Sequence, residues 1–148
     1  MSKGMHQVEV RATRSEVWEF IRDMNQWAPL VPGYKSHHIH SENLSSWTFT
    51  VQYGVVKKKL SVKVLITEWK EPSQVTFVIT GINHKLTGKG SFRAVEKNNR
   101  ITSMTGYLEI EAMSPVGKLL QASFDTMVHD LTRDLTAAVG KAIEKGKA

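Results

Sequence analysis

The hydrophobic pattern of this 148-residue chain changes its period once, and that change restricts the folds open to it. Across residues 34–112, apolar residues mostly alternate with polar ones, as is typical of strands with one buried face. After Ser114-Pro115, apolar residues recur every three or four positions, which predicts an amphipathic helix. A chain that forms consecutive strands and then a long helix buries both apolar faces by packing them together.

Before the strand region, the pattern predicts one strand and two short helices. Residues 5–12 alternate between apolar and polar side chains, which predicts a half-buried strand. Thr13 and Glu16 have the spacing of a capping box, and apolar residues follow at helical intervals, which predicts a helix of about three turns. Residues 25–30 add a further short helical turn that ends at Pro32-Gly33, because proline disfavours helical geometry in the residue before it.

The strand region divides into about six segments separated by turn signals. The clearest alternating runs are residues 47–51, 60–64, 75–79 and 104–110. Short connections between consecutive strands favour an antiparallel meander over a parallel sheet with crossover helices. Gly88 and Gly90 fall on one face of one strand, which indicates a bend or bulge where another group passes close to the backbone.

The C-terminal segment predicts a single helix about 40 Å long, at 1.5 Å per residue. Its apolar stripe consists of Val116, Leu120, Phe124, Met127, Leu131, Leu135, Ala138 and Ala142. Polar residues occupy the opposite face, so we expect a surface helix with one buried side. We expect residues 146–148 to fray.

Composition and charge exclude several classes of function. The chain has no cysteine, so it has no disulfide framework, thiol nucleophile or cysteine-ligated zinc. It lacks a signal-peptide pattern and any apolar run long enough for a transmembrane helix, so we expect a single cytoplasmic domain over residues 1–148.

The net charge of +6 would suit an anionic partner. The positive charges are scattered apart from Lys57-Lys58-Lys59, without a stacking motif or recognition helix, so we do not expect nucleic-acid binding.

The order of these elements resembles the START-like, helix-grip superfamily, also called SRPBCC. That superfamily includes the birch-pollen-allergen-like proteins, the polyketide cyclase/dehydrase-like proteins and the G-subunit family of carbon monoxide dehydrogenase. The resemblance covers residues 5–143 and is carried by VEVRATRSEVWEFIRDMNQWAPLVPG, YGVVKKKLSVKVLI, LTGKGSFRA, TSMTGYLEIEAMSPVGKLL and the terminal helix. It implies an α+β helix-grip fold: a curved antiparallel sheet of about seven strands around a long C-terminal helix, with two short helices after the first strand.

Within that superfamily, the sequence is closest in look to the carbon monoxide dehydrogenase G-subunit family. Pro32-Gly33, Gly88-x-Gly90 and Pro115-Val116-Gly117 stand where that family has a Pro-Gly, a Gly-x-Gly and a small-residue turn. Leu30-Val31 stand where the family often has a cysteine. The resemblance implies a carrier or accessory role, with a peripheral membrane or a redox enzyme as a candidate contact.

A strongly bent sheet held off the helix leaves a cavity that suits a small hydrophobic ligand of the polyketide, quinone, lipid or isoprenoid class. We predict that this cavity is lined by apolar side chains with one or two polar anchors. The predicted lining residues are Val10, Phe20, Trp27, Trp47, Phe49, Tyr53, Val62, Val64, Phe77, Ile79, Phe92, Met104, Leu108, Phe124, Met127 and Leu131. We expect no cofactor, and the oligomeric state is left open.

Catalytic motifs are absent from the sequence: there is no Gly-x-Ser-x-Gly elbow, phosphate loop, dinucleotide fingerprint or His-Glu-x-x-His. Tyr53 and His84 are weak catalytic candidates, because a lone Tyr or His in an apolar cavity could protonate or orient an enolate. Two alternatives to a carrier therefore stay open. One is a cyclase or dehydratase-type enzyme, and the other is a protein-interaction module whose cavity is incidental.

The segment WAPLVPGYKSHHIHS, residues 27–41, predicts an irregular corner beside one mouth of the cavity. His38 and His40 share one face of the strand that follows, and Ile39 takes the other, inward face. Two imidazoles could hold a metal, but a zinc site normally needs a third protein ligand and no Asp or Glu stands at a matching position. We therefore expect solvent-facing histidines and no metal site.

Overall fold

Seven strands form one antiparallel sheet in the order β1-β7-β6-β5-β4-β3-β2. The computed structural model describes residues 2–146 and, at positions 116 and 117, the backbone alone. The strands are β1 (Ser2–Val10), β2 (Tyr34–Ile39), β3 (Leu44–Tyr53), β4 (Val56–Lys70), β5 (Gln74–Gly81), β6 (Leu86–Glu96) and β7 (Thr102–Ala112). The sheet is curved, and the predicted α+β helix-grip arrangement is confirmed.

Short helices connect β1 to β2: α1 (Arg14–Ile21), α2 (Met24–Trp27) and a 3-10 turn (Ala28–Leu30). The capping box at the start of α1 is formed as predicted. The Glu16 backbone N–H donates to the Thr13 hydroxyl at 3.1 Å, and the Thr13 N–H donates to the Glu16 carboxylate at 2.9 Å. Trp27 ends α2 and packs its ring against Trp47 and Phe92, so these helices cover part of the inner face of the sheet.

The C-terminal segment forms two helices rather than the single one predicted. α3 (Pro115–Leu119) and α4 (Gln121–Gly146) meet at Leu120, whose carbonyl accepts the Phe124 N–H at 2.9 Å. The interruption at Leu120 follows a helix of only five residues that contains Gly117, and glycine is a weak helix former. The side chain of Val116, the first member of the predicted stripe, lies outside the described residues, as do residues 147 and 148. No helix among residues 2–146 is both long and apolar enough to span a bilayer.

The buried face of α4 is rotated from the predicted stripe by about one position. Its buried residues are Phe124, Val128, Thr132, Thr136, Val139, Gly140 and Ile143. Two threonines are buried because their hydroxyls donate to the helix itself, from Thr132 to the Val128 carbonyl at 2.8 Å and from Thr136 to the Thr132 carbonyl at 2.7 Å. Threonine counts as polar in a hydropathy pattern. The predicted apolar stripe of the C-terminal helix therefore fell on the apolar side chains next to these threonines.

Glycines set how closely α4 approaches β1 and β7. A side chain on Gly4 would collide with Thr132, and one on Gly106 would collide with Thr136. On the helix side of the contact, Gly140 of α4 makes room for Val8 of β1, whose Cγ2 would lie 3.2 Å from an added Cβ. The helix therefore rests on one side of the sheet, over β1 and β7.

The strand glycines predicted to admit a close approach do so without a bulge. The β5–β6 and β6–β7 registers are continuous through Gly88 and Gly90. Phe77 lies opposite Gly90, and its ring would be 2.6 Å from a Cβ added there. The prediction of a close neighbour is confirmed at Gly90, where the neighbour is an aromatic ring.

Candidate functional site

A cavity lies between the inner face of the sheet and α4. The centre of a water-sized molecule can occupy about 70 Å³ of it. Its lining residues are Trp27, Val31, Trp47, Phe49, Val51, Leu60, Val62, Val64, Phe77, Ile79, Leu86, Leu108, Ile110, Phe124, Met127, Leu131 and Leu135. All of them are apolar or aromatic.

The cavity exists because the helix rests on only one side of a curved sheet. The close contacts of α4 are with β1 and β7. The middle strands curve away from the helix, so only part of their length is in contact with it. Ile79 on β5 is opposite Gly88 on β6, so the inner face lacks a side chain there. Ile79 is only partly buried although it lies in a central strand, which indicates that its exposed surface faces the cavity.

The polar groups of the cavity wall are already used within the protein. The Trp27 indole N–H donates to the Ile21 carbonyl at 3.0 Å, and the Trp47 indole N–H donates to the Ser45 hydroxyl at 2.7 Å. A polar group on a bound molecule would leave water without gaining a partner, which costs free energy. The wall therefore favours hydrocarbon over polar ligand groups.

Most of the predicted lining residues are brought together in this cavity. These are Trp27, Trp47, Phe49, Val62, Val64, Phe77, Ile79, Leu108, Phe124, Met127 and Leu131. They come from the second short helix, four strands and α4. Apart from Trp27, their shared property in the sequence is a position on the apolar face of an alternating run or of the helical stripe.

The remaining predicted lining residues lie elsewhere. Val10 and Met104 are fully buried against Gly140 of α4, where helix and sheet are in direct contact. Phe92 is buried against the edge of the Trp27 ring. Phe20 lines a groove on the outside, next to Ile143. The alternation predicted the correct face of each strand, but the path of α4 decides which part of that face stays open.

Several lining residues were missed by the sequence prediction: Val31, Val51, Leu60, Leu86, Ile110 and Leu135. Val51, Leu60 and Ile110 belong to the alternating runs, and Leu135 belongs to the helical stripe, so their pattern could have found them. Val31 follows the 3-10 turn and carries no periodic signal.

A smaller recess adjoins the cavity, and both weak catalytic candidates line it. The centre of a water-sized molecule can occupy about 30 Å³ of this recess. Its residues are Val51, Tyr53, Lys58, Leu60, His84, Lys85, Leu86, Ala112, Ser114 and Phe124. The Tyr53 ring meets the Phe124 ring edge-on, with centroids 5.3 Å apart. We call this space the Tyr53 recess.

The histidine corner lies outside the cavity. His40 shares a 2.7 Å hydrogen bond with the Ser46 hydroxyl and stacks edge-on with His38 at 4.7 Å between centroids. Ile39 pairs with Ser45 on the inner face of the sheet, but it is 36% exposed because β2 is one of the two edge strands. Among residues 2–146, no cluster of three His, Asp or Glu side chains is placed to hold a metal.

His37, which the sequence did not single out, joins the corner to α2. Its Nδ1 lies 2.6 Å from the Tyr34 hydroxyl, and its Nε2 lies 2.7 Å from the Asn25 side-chain oxygen. The amide oxygen can only accept, so Nε2 donates, and a neutral ring then accepts the Tyr34 proton at Nδ1. This pair of bonds fixes the corner against the short helix.

The side chains with shifted pKa values do not line the cavity. The Tyr107 hydroxyl donates to Glu109 at 2.5 Å, which lowers the pKa of the Glu109 carboxyl and raises the pKa of the Tyr107 phenol. Hydrogen bonds from Ser2 and Gln121 lower the pKa of Asp125. Shifted values often mark catalytic sites, and here they mark surface hydrogen bonds instead.

Comparison with known proteins finds solved structures with a similar fold. A protein-family model matches residues 1–145. A conserved protein from Geobacillus kaustophilus superposes with a TM-score of 0.83 at 20% identity, covering 97% of this chain and 96% of that one. A START superfamily protein from Mycobacterium smegmatis gives 0.69 at 16% identity, with 99% and 97% covered. An aromatase/cyclase from a Streptomyces species gives 0.70 at 14% identity, with 99% and 95% covered. No curated protein sequence matches the chain.

Proposed function

Because this chain has the START-like (SRPBCC, helix-grip) fold, we propose that it is a carrier that binds a small hydrophobic molecule in the cavity between sheet and α4. The observation that carries the proposal is the chemistry of the wall. Its lining side chains are apolar, and both indole N–H groups already donate within the protein. Such a wall stabilises a hydrocarbon group and offers no group for acid–base chemistry.

The shape of the cavity favours a narrow or flexible ligand. Its volume is small, so a bound molecule must displace side chains to fit. Three lining side chains of α4 are only partly buried: Met127, Leu131 and Leu135. The methionine side chain adapts easily to the shape of a ligand because it is long and unbranched. Among the predicted classes, the acyl chain of a lipid or an isoprenoid chain fits this wall best. A quinone or polyketide would need partners for its oxygens.

An enzyme remains the second candidate, and the Tyr53 recess is what favours it. The Tyr53 hydroxyl makes no hydrogen bond to another described residue, and His84 lines the same small space. A similar fold is used by an aromatase/cyclase from a Streptomyces species. If the recess catalyses a reaction, a bound compound should be recovered chemically changed, and Tyr53→Phe or His84→Ala should stop that change.

We also propose that the carrier contacts an anionic membrane surface through one end of the fold. Four aliphatic side chains there are strongly exposed: Val55 at 94%, Leu119 at 82%, Ile82 at 53% and Met113 at 50%. Ile82 and Met113 line one surface groove, and Gly54, beside Val55, lies against Leu120, which directly precedes α4. The four side chains therefore lie on neighbouring segments, which we call the aliphatic tips.

Charge complementarity supports a membrane as the partner of the aliphatic tips. Lys57, Lys85 and Lys118 are exposed on the same three segments. Residues 43–67, 72–95 and 112–124 contain no Asp or Glu. Lysine is depleted at protein–protein interfaces, whereas each basic residue near an anionic bilayer contributes about 1 kcal/mol. A redox enzyme as partner stays a prediction from the resemblance.

A ligand screen with a blocked cavity tests the carrier proposal. A ligand that binds the folded state alone stabilises it by about 2.7 kcal/mol at a hundredfold excess over its dissociation constant. Saturated and isoprenoid alcohols should therefore raise the melting temperature of the protein. Leu131→Trp, which fills the cavity, should abolish that rise, and Val95→Trp on the outer face of β6 should keep it. If no hydrophobic compound stabilises the protein, the carrier proposal is wrong.

A further inference from the structure

The Tyr53 recess adjoins the cavity. Four side chains line both spaces: Val51, Leu60, Leu86 and Phe124. The cavity side of this shared wall is wholly apolar, and the recess side adds Tyr53, Lys58, His84, Lys85 and Ser114. A molecule in the cavity that displaces one of these shared side chains would therefore reach the hydrogen-bond donors of the recess.

The recess is held together by hydrogen bonds between the turns that form it. The Asn83 side chain accepts the Ser61 N–H and donates to the Lys59 carbonyl, both at 2.9 Å, which fixes the β5–β6 turn onto β4. The Met113 N–H donates to the Lys85 carbonyl at 2.9 Å, which fixes the segment after β7 onto the same turn. The backbone segments that carry the donors are therefore fixed before any ligand arrives.

The cationic groups of the recess have no acidic partner among the described residues. Neither Lys58 nor Lys85 forms an ion pair with another residue of the range 2–146, whereas Arg22, His129 and Arg133 do. The acid-free segments that carry the aliphatic tips also supply all the residues of the recess. An anion bound in the recess would lie near the ammonium groups of Lys58 and Lys85 and the Tyr53 hydroxyl. No carboxylate of those segments would compete with it for these groups.

The size of the recess selects a small anion. About 30 Å³ is open to the centre of a water-sized molecule, and one water needs about 10–15 Å³ by that measure. The space therefore suits a group with two or three polar atoms. A carboxylate has two oxygens and accepts charge-assisted hydrogen bonds from ammonium and phenol groups.

On the basis of the proposed carrier function, we propose that the Tyr53 recess binds the carboxylate of an amphipathic ligand whose hydrocarbon chain fills the cavity. The chain lies against the apolar wall, and the carboxylate receives hydrogen bonds from Lys58, Lys85 and the Tyr53 hydroxyl. The physiological ligand class is then a monocarboxylic acid with an aliphatic chain, and its neutral analogues bind more weakly.

Paired titrations with dodecanoic acid and dodecanol test the proposal on the full-length protein. The acid should bind at least about tenfold more tightly than the alcohol, because hydrogen bonds to charged groups are the stronger ones. Lys58→Ala/Lys85→Ala should remove that preference and leave the affinity for the alcohol within about twofold. Tyr53→Phe should reduce the preference in part.

The control variant Lys63→Ala/Lys89→Ala removes the same charge from the exposed outer face of the sheet. It should keep the preference for the acid. Equal binding of acid and alcohol by the unmodified protein would overturn the carboxylate site and leave the carrier proposal standing. Equal loss of the preference in the control variant would also overturn it, because net charge would then be the cause. Binding of neither compound would overturn both proposals.

Discussion

Gly106 of β7 lies directly beneath Thr136 of α4, so that a single methyl group at position 106 would occupy the space of the Thr136 hydroxyl. That hydroxyl is itself held by a hydrogen bond to the Thr132 carbonyl at 2.7 Å. The contact sets the distance between helix and sheet on one side of the cavity. The cavity therefore depends on a glycine that does not line it.

We expect Gly106→Ala to destabilise the protein by about 1–3 kcal/mol, the usual cost of overpacking. The added methyl must push α4 away from β7 or break the Thr136 hydrogen bond. Urea denaturation measures the change. Gly146→Ala is the matched control, because nothing lies within 4 Å of an added Cβ there. A loss at Gly106 no larger than at Gly146 would contradict the close approach.

The two aromatic rings Phe92 and Phe124 should respond differently to truncation. Both are buried, but Phe92 packs against Trp27 in the core, whereas Phe124 borders the cavity and the Tyr53 recess. Phe92→Ala should cost about 3–5 kcal/mol, and Phe124→Ala should cost less because it already has an open side. Equal costs in urea denaturation would indicate a solid core around Phe124.

Removal of two aliphatic tips should weaken binding to anionic vesicles. We expect Val55→Ser/Leu119→Ser to lower co-sedimentation with phosphatidylserine-containing vesicles several-fold, because less apolar surface then reaches the bilayer interface. Binding of the unmodified protein should fall as salt is raised, because the lysine contribution is screened. Met5→Ser/Val95→Ser removes two exposed apolar side chains of the outer sheet face and should leave binding unchanged. No vesicle binding by the unmodified protein would contradict the membrane proposal.

Asp125 should stabilise the protein at neutral pH and lose that effect in acid. Hydrogen bonds from Ser2 and Gln121 favour the charged carboxylate and lower its pKa in the folded state. A lowered folded-state pKa means that the stabilisation is complete above the ordinary aspartate value of about 3.9 and disappears as the pH falls through the folded-state value. The melting temperature of the unmodified protein should exceed that of Asp125→Asn near pH 6, and the two should converge only as the pH falls below the ordinary aspartate pKa and through the lowered folded-state pKa. A difference that persists at low pH would assign the effect to packing instead.

Local patterns were sufficient for the elements and for the side of the sheet that each residue faces. The capping box of Thr13 and Glu16 forms because its two hydrogen bonds link residues three apart. Trp47 and Phe77 face inward because side chains alternate along a strand whatever the strand packs against. These features follow from backbone geometry, so they could be predicted from the order of the residues.

The location of the cavity could not be predicted in that way, because it depends on how the elements pack. Met104 and Leu108 lie on the same face of β7, yet Met104 is buried against α4 near Gly140 and Leu108 lines the cavity. The difference arises where α4 crosses the sheet, and that path depends on close contacts between residues more than a hundred positions apart, such as Gly4 with Thr132. Periodicity reports which face of an element is apolar. Whether that face meets a helix or an open space is set by long-range packing, which has no local signature.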